Sequence, residues 1–181
     1  MPKLVLRLDS KAAEAKLAAL GSRAPQVVAR SLNRAAMSGR TAMARVVSKD
    51  MGLKVGDVRE RITMRDATPA RLSVTLFASA KRLPLILFRA TGPEPSFGRG
   101  RGVGATLGGR KRYPRAFIAT MGSGHRGVFE RRGKLRLPIY ELFGPSIALV
   151  FKKHEQVGID RVQEMLEKTL GHELEFEMSR S

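Results

Sequence analysis

The longest periodic stretch of the chain follows Pro25. Apolar or small residues recur there every three or four positions, which places them on one side of a helix. They are Val28, Leu32, Ala35, Gly39, Ala42, Met43 and Val46. The basic residues of the stretch fall on the opposite side and are Arg30, Arg34, Arg40, Arg45 and Lys49. The sequence therefore predicts a long amphipathic helix with a basic outer face, which Gly52 ends.

Shorter patterns flank this helix. Residues 3–8 alternate basic and apolar side chains, as a strand does, and residues 11–20 form an Ala-rich segment that predicts a helix stopped by Gly21. Residues 54–62 predict one more short helix, with Asp57 in its first turn.

The period changes in the middle of the chain. Residues 71–78 alternate apolar and polar side chains, which indicates a half-buried strand. Further strand predictions fall on residues 83–88, 114–121, 127–130, 137–143 and 146–151. Turn signals separate several of them, at residues 122–125 and at Gly144-Pro145.

The last part of the chain returns to a helical period. Val162, Met165, Leu166, Thr169 and Leu170 share one side of a helix predicted over about residues 154–178. Helices first, strands in the middle and a helix last predict an α+β fold with a largely antiparallel sheet. With 181 residues, of which 43% are hydrophobic, we expect residues 1–181 to form a single domain.

The net charge of the chain indicates the kind of partner that it binds. The chain carries a formal net charge of +18, and a compact protein with such self-repulsion is usually neutralised by a polyanion, most often nucleic acid. The charge is uneven, since residues 155–181 hold seven acidic and three basic residues, a net of −4 that leaves +22 on residues 1–154. The acidic C-terminal helix either clamps part of the basic surface of its own chain or contacts a neighbouring copy.

Positive charge is densest around a Gly/Arg-rich segment at about residues 92–113. Between Arg89 and Arg136 there are twelve Lys and Arg residues but only two acids, Glu94 and Glu130. Alternating Gly and Arg buries little apolar area, so we expect a flexible cationic loop, either merely solvated or facing the phosphates of DNA. The expected DNA-facing residues are Arg99, Arg101, Arg110, Lys111, Arg112 and Arg115.

Catalytic patterns are scarce. The chain has no Cys, its three His residues are widely spaced, and its middle lacks the clustered carboxylates of a metal-dependent nuclease. The glycines from Gly98 lack the Gly-Lys-Ser/Thr ending of a P-loop. We therefore expect no enzymatic activity, no metal and no cofactor. No apolar run reaches the roughly 20 residues of a membrane span, so we expect a soluble protein, cytoplasmic when made.

The order of these features resembles the minor tail protein Z family of long-tailed phages and prophages. The first half carries the resemblance in residues 30–36 and 52–59. The second half carries its most specific part, in residues 114–121, 127–134 and 137–146, where Gly-Val-Phe-x-Arg, Leu-Pro-Ile and Gly-Pro-Ser follow one another.

The resemblance implies a structural tail completion protein of the virion, at the head-proximal end of the tail, with no catalytic residues. Its expected partners are other copies in a ring, neighbouring tail terminator and head–tail connector proteins, and duplex DNA in the channel. A basic and an acidic surface would suit head-to-tail ring contacts. The expected interface residues are Arg30, Arg34, Arg45, Glu164 and Glu167.

Two rival functions remain at this stage. A cellular nucleic-acid-binding protein, associated with ribosomes or the nucleoid, would explain the same net charge. An enzyme of phage DNA processing would explain the phage resemblance, although the chain lacks a catalytic pattern.

Overall fold

The computed structural model describes residues 3–7, 21–94, 103–106, 110–131, 133 and 137–179. The helix expected over residues 11–20 lies outside them. The described helices and strands are, in chain order, β1 (Lys3–Arg7), α1 (Ala24–Met51), α2 (Val55–Glu60), β2 (Ile62–Arg65), β3 (Ser73–Ala78), β4 (Val103–Thr106), β5 (Arg110–Tyr113), β6 (Ala116–Thr120), β7 (Arg126–Arg131), β8 (Ile139–Glu141), α3 (Ala148–Lys153) and α4 (Glu155–Met178). Short 3-10 helices span Gly21–Arg23 and Leu85–Leu87.

The long amphipathic helix is confirmed as α1. Pro25 lies in its first turn, where a missing N–H is tolerated. Gly52 ends it with a left-handed φ of 67° and donates its N–H to the Ser48 carbonyl. Its buried side includes Val28, Leu32 and Met43, as the spacing predicts.

The two long helices pack against each other in antiparallel orientation. Thr169 of α4 donates a hydrogen bond to the Ser31 carbonyl of α1 (3.3 Å), and Arg161 donates one to the Ser38 hydroxyl (3.0 Å). Residues further along α1 contact residues earlier in α4, which shows that the two helices run in opposite directions. The contact extends along most of both helices. The predicted C-terminal helix is thus confirmed, with α1 as its packing partner.

The sheets are antiparallel, as predicted. One three-stranded sheet has the order β1-β3-β2, another has the order β6-β7-β8, and β4 and β5 form a separate hairpin. One hydrophobic core joins α1, β3, the hairpin, the second sheet and α4, through residues such as Leu32, Leu76, Val103, Val128 and Val162. The α+β prediction is therefore confirmed, although the strands divide into more than one sheet.

Two strand predictions were wrong. Residues 83–88 contain the 3-10 helix Leu85–Leu87, and residues 146–151 begin α3. Both are short apolar runs, whose pattern does not separate a buried strand from a buried helix. Ile147 and Phe151 are both buried and four residues apart, which is the helical spacing, whereas Leu149 between them is 79% exposed.

The boundaries of other elements also moved. The strand expected over residues 137–143 is reduced to β8, and the short helix expected over residues 54–62 ends at Glu60. The following residues form β2, which the sequence reading missed. In β2, Ile62 is buried and Thr63 and Arg65 are exposed. This alternation is too short to be recognised beside the preceding helix.

The Gly/Arg-rich segment is not a loop throughout. Residues 103–106 and 110–113 pair as β4 and β5, so the expectation of a loop over the whole of residues 92–113 was wrong for these two stretches. Val103 and Ala105 are buried, which supplies the apolar contact that alternating Gly and Arg would lack. Residues 95–102 and 107–109 lie outside the described part of the chain.

The helix crossing leads to a first prediction about stability. A methyl group added at Gly39 would overlap Cγ2 of Val162 and lie 3.4 Å from the Gly158 carbonyl oxygen. Because a Val side chain is stiff at χ1, we expect Gly39→Ala to lower the free energy of unfolding by about 1–3 kcal/mol, despite the better helix propensity of Ala. Urea unfolding of the purified protein measures this change.

Gly171 provides the matched control, since it also lies in a long helix but has nothing within 4 Å of an added methyl. Gly171→Ala should stabilise the protein by about 0.5–1 kcal/mol. Adding Val162→Ala should remove most of the extra cost of Gly39→Ala. A Gly39→Ala variant as stable as Gly171→Ala would show that the helices do not approach this closely.

Candidate nucleic-acid interface

The β4–β5 hairpin is held to the body of the protein from both sides. Its buried Val103 and Ala105 belong to the main hydrophobic core. Along the other edge of β4, Thr91 and Gly104 exchange two backbone hydrogen bonds of 2.9 and 2.8 Å. The hairpin is therefore a fixed support for the side chains that β5 carries.

Cationic side chains lie along β5 and in the turn after it. Lys111 and Arg112 of β5 are exposed, and so is Arg115 in the turn before β6. The register pairs Arg112 with Gly104, which has no side chain, on the face opposite the pair Val103 and Tyr113. The Lys111 ammonium lies 5.7 Å from the centre of the Tyr113 ring, so the aliphatic part of Lys111 lies along the hairpin.

Three of the six expected DNA-facing side chains, those of Lys111, Arg112 and Arg115, are described and exposed, although Lys111 and Arg112 start from opposite faces of β5. Arg110 belongs to β5, but its side chain lies outside the described part of the structure, as do Arg99 and Arg101. Tyr113, at the end of the Gly/Arg-rich segment, is partly buried against the core.

The neighbouring sheet adds cations that are partly neutralised. Arg126 forms an ion pair of 2.7 Å with Glu94. The Arg131 guanidinium lies 4.6 Å from the centre of the Phe117 ring, within cation–π range. Since Glu94 and Glu130 are the acids between residues 89 and 136, an excess of positive charge remains on the hairpin side.

The acids of α4 behave differently at the two ends of the helix. Near its C-terminus, Glu173 is bound by Arg34 and by Arg30, whose Nε lies 3.2 Å from Oε2. Glu177 is bound by Arg30 and by Arg23 of the preceding 3-10 helix. Glu173 and Glu177 are buried, so this part of α4 clamps the basic face of its own chain.

The remaining interface candidates point to solvent. Arg45 and Glu167 are exposed. Glu164 accepts hydrogen bonds from Lys168 (2.8 Å) and Arg161 (2.7 Å) of its own helix, and these hold the pKa of Glu164 below its ordinary value. Exposed pairs of this type contribute little to stability, which leaves this face available to another molecule.

The sequence left open whether the acidic helix clamps its own chain or contacts a neighbouring copy, and the ion pairs of Glu173 and Glu177 show a clamp at that end of α4. A second set of ion pairs was not predicted. At the far end of α1, Asp50 accepts hydrogen bonds from His154 (2.8 Å) and Lys153 (3.0 Å), which lower the pKa of Asp50. The burial of Glu173 and Glu177 had a signal, because both continue the stripe that Val162 and Leu170 begin.

Other chemistry finds no support in the described residues. Within them, no three His, Cys, Asp or Glu side chains lie close enough to hold a metal ion. None of the helices in the described ranges is long and apolar enough to cross a membrane.

A cationic, core-anchored hairpin beside a helix pair, with no cluster of metal ligands in the described residues, is an arrangement suited to binding and assembly. Comparison with protein families gives the class: the model of the prophage minor tail protein Z family matches residues 10–181, nearly the whole chain. The chain therefore belongs to this family. Comparisons with curated proteins and with solved structures found no match.

Family membership gives the chain a structural role in a phage tail. It also places the chain in the virion, in contact with other tail or virion proteins, and in a family that is structural rather than enzymatic.

The buried ion pairs lead to a second prediction. The Glu173 side chain is 5% exposed and binds two arginines. Glu173→Gln leaves those arginines without their carboxylate, so we expect the free energy of unfolding to fall by about 1–3 kcal/mol. Glu164→Gln removes a carboxylate from the exposed face of the same helix and should leave the urea midpoint nearly unchanged. Equal midpoints for the two variants would contradict the clamp.

Proposed function

We propose that the protein is a tail completion protein, part of a ring at the head-proximal end of the tail, through which duplex DNA passes. The observation that carries this proposal is the β4–β5 hairpin, which displays Lys111 and Arg112 on a support fixed by buried Val103 and Ala105. Family membership supports the role in a phage tail, and the exposed cations of the hairpin support the proposed surface for DNA.

Duplex DNA carries one negative charge per about 1.7 Å of its axis, whatever its sequence. A channel must pass every sequence of the genome, so its lining needs phosphate contacts and no base readout. Exposed Lys111, Arg112 and Arg115 meet that requirement. Arg99, Arg101 and Arg110 extend the proposed surface along the same Gly/Arg-rich segment.

The ring needs two unlike surfaces on each copy. The outward face of α4, with Glu164 and Glu167, is the proposed acidic surface, and Arg45 of α1 belongs to the proposed basic one. Arg30 and Arg34 are engaged by Glu173 and Glu177 of their own chain, so we propose that they shape the interface by holding α4 in place. The proposed neighbours along the tail are the terminator and the head–tail connector, met after synthesis in the host cytoplasm.

DNA binding provides a test of the proposed surface. We expect weak binding to duplexes of any sequence, with an affinity that falls steeply as salt rises. Replacing Lys111, Arg112 and Arg115 by Gln should weaken binding and reduce the salt slope by about 2–3 units, since about 0.9 of a unit is lost per phosphate contact. Fluorescence anisotropy at several salt concentrations measures both quantities.

The control removes the same charge elsewhere, through Gln at Arg45, Lys54 and Lys152, all of which are exposed outside the hairpin. This variant should keep most of the salt slope. Equal losses in the two variants would mean that net charge alone attracts DNA. A strong preference for structured RNA would favour the cellular nucleic-acid-binding alternative.

Electron microscopy tests the ring. In the particle that carries this chain, we expect cyclic copies around the DNA channel at the head-proximal end of the tail, with β5 toward the channel and α4 away from it. The isolated chain should be monomeric or weakly associated, because the positive charges repel one another without DNA. A single copy per particle, or a location far from the channel, would end the proposal.

A further inference from the structure

Arg89 has a backbone conformation that its residue type disfavours. Its φ is 51°, in the left-handed region, where a side chain crowds the following carbonyl. The other described residues with positive φ are Gly21, Gly52 and Gly124, which adopt this conformation without that crowding. Among the described residues, Arg89 is thus the one place where a left-handed turn is not made by glycine.

The turn at Arg89 does not require an arginine side chain. Phe88, which is fully buried, and Arg89 form the turn that follows the 3-10 helix Leu85–Leu87 and leads to Thr91, which pairs with Gly104. A glycine would make the same turn with less strain. Arg89 is exposed, and none of the hydrogen bonds and ion pairs of the described residues involves its side chain. The internal contacts of the described structure therefore do not explain an arginine at this position.

The position of the turn next to the hairpin indicates a function for the Arg89 side chain. Thr91 pairs with Gly104 of β4, and Gly104 pairs with Arg112 of β5, so these three residues form a row across neighbouring segments. Arg89 precedes this row by two residues. The Arg89 backbone is therefore held between buried Phe88 and Thr91, which pairs with the cationic hairpin.

We propose that Arg89 is a phosphate-binding residue of the DNA surface, kept in a strained turn because its guanidinium contacts the nucleic acid backbone. The inference rests on the proposed function of the hairpin. Strained residues persist where the surrounding structure holds them and a function uses them, and an exposed arginine is suited to phosphate oxygens. Arg89 extends the DNA surface beyond the Gly/Arg-rich segment, onto a part of the chain fixed to the core.

The test uses Arg89→Gly in the full chain, because the proposal expects opposite changes in stability and binding. The thermal midpoint should rise, since glycine relieves the strain. Affinity for a duplex of about 30 base pairs should fall roughly fivefold to tenfold at 0.1 M salt, and the salt slope should decrease by about one unit, as expected for one lost phosphate contact. Arg89→Lys keeps the charge and should retain most of the affinity.

The matched control is Lys152→Gln, which removes one exposed positive charge from α3. It should leave the salt slope nearly unchanged. If Arg89→Gly binds DNA as the unmodified chain does, the inference is wrong while the proposed function stands. If Arg89→Gly is destabilised, the side chain has a structural role and the inference is also wrong. If the unmodified chain does not bind duplex DNA, the proposed function fails and the inference fails with it.

Discussion

The close antiparallel packing of α1 and α4 is the contact on which the rest of the structure depends. It joins a helix near the start of the chain to the helix at its end, with all described strands from β2 to β8 between them in sequence. Gly39 allows the two backbones to approach, because its missing side chain leaves room for the Val162 side chain and the Gly158 carbonyl oxygen. Ion pairs at both ends of the contact, around Glu173 and Asp50, then align one helix along the other.

This helix pair also determines which acidic side chains are paired within the chain and which are exposed. The acidic C-terminal part of α4 is paired with Arg30 and Arg34, so those carboxylates do not neutralise the hairpin on another part of the surface. The same burial orients α4 so that Glu164 and Glu167 remain on its exposed side. A strongly basic chain thereby keeps exposed carboxylates on α4 and exposed cations on the hairpin at once, which suits the proposed contacts with protein neighbours and DNA.

The hairpin shows why a Gly/Arg-rich segment need not be a loop over its full length. Among the described residues of the segment, Val103 and Ala105 are buried, and their burial, with the pairing to Thr91, fixes β4 on the body. Glycine at position 104 places no side chain opposite Arg112. The cationic side chains thus start from an ordered backbone, which would reduce the entropy lost in the proposed contacts with phosphates.

Sequence alone determined the elements that have a long period or a clear stop: α1 between Pro25 and Gly52, α4 with its buried stripe, and the β6–β7 hairpin around its turn. It also indicated the cationic segment and the family resemblance. The tertiary structure decided whether short apolar runs such as residues 146–151 became strand or helix, because a run without a period takes its conformation from the surface that buries it. It likewise decided which acids are internal, since the pairing of Glu173 with Arg30 and Arg34 joins positions about 140 residues apart that meet only when the two helices dock.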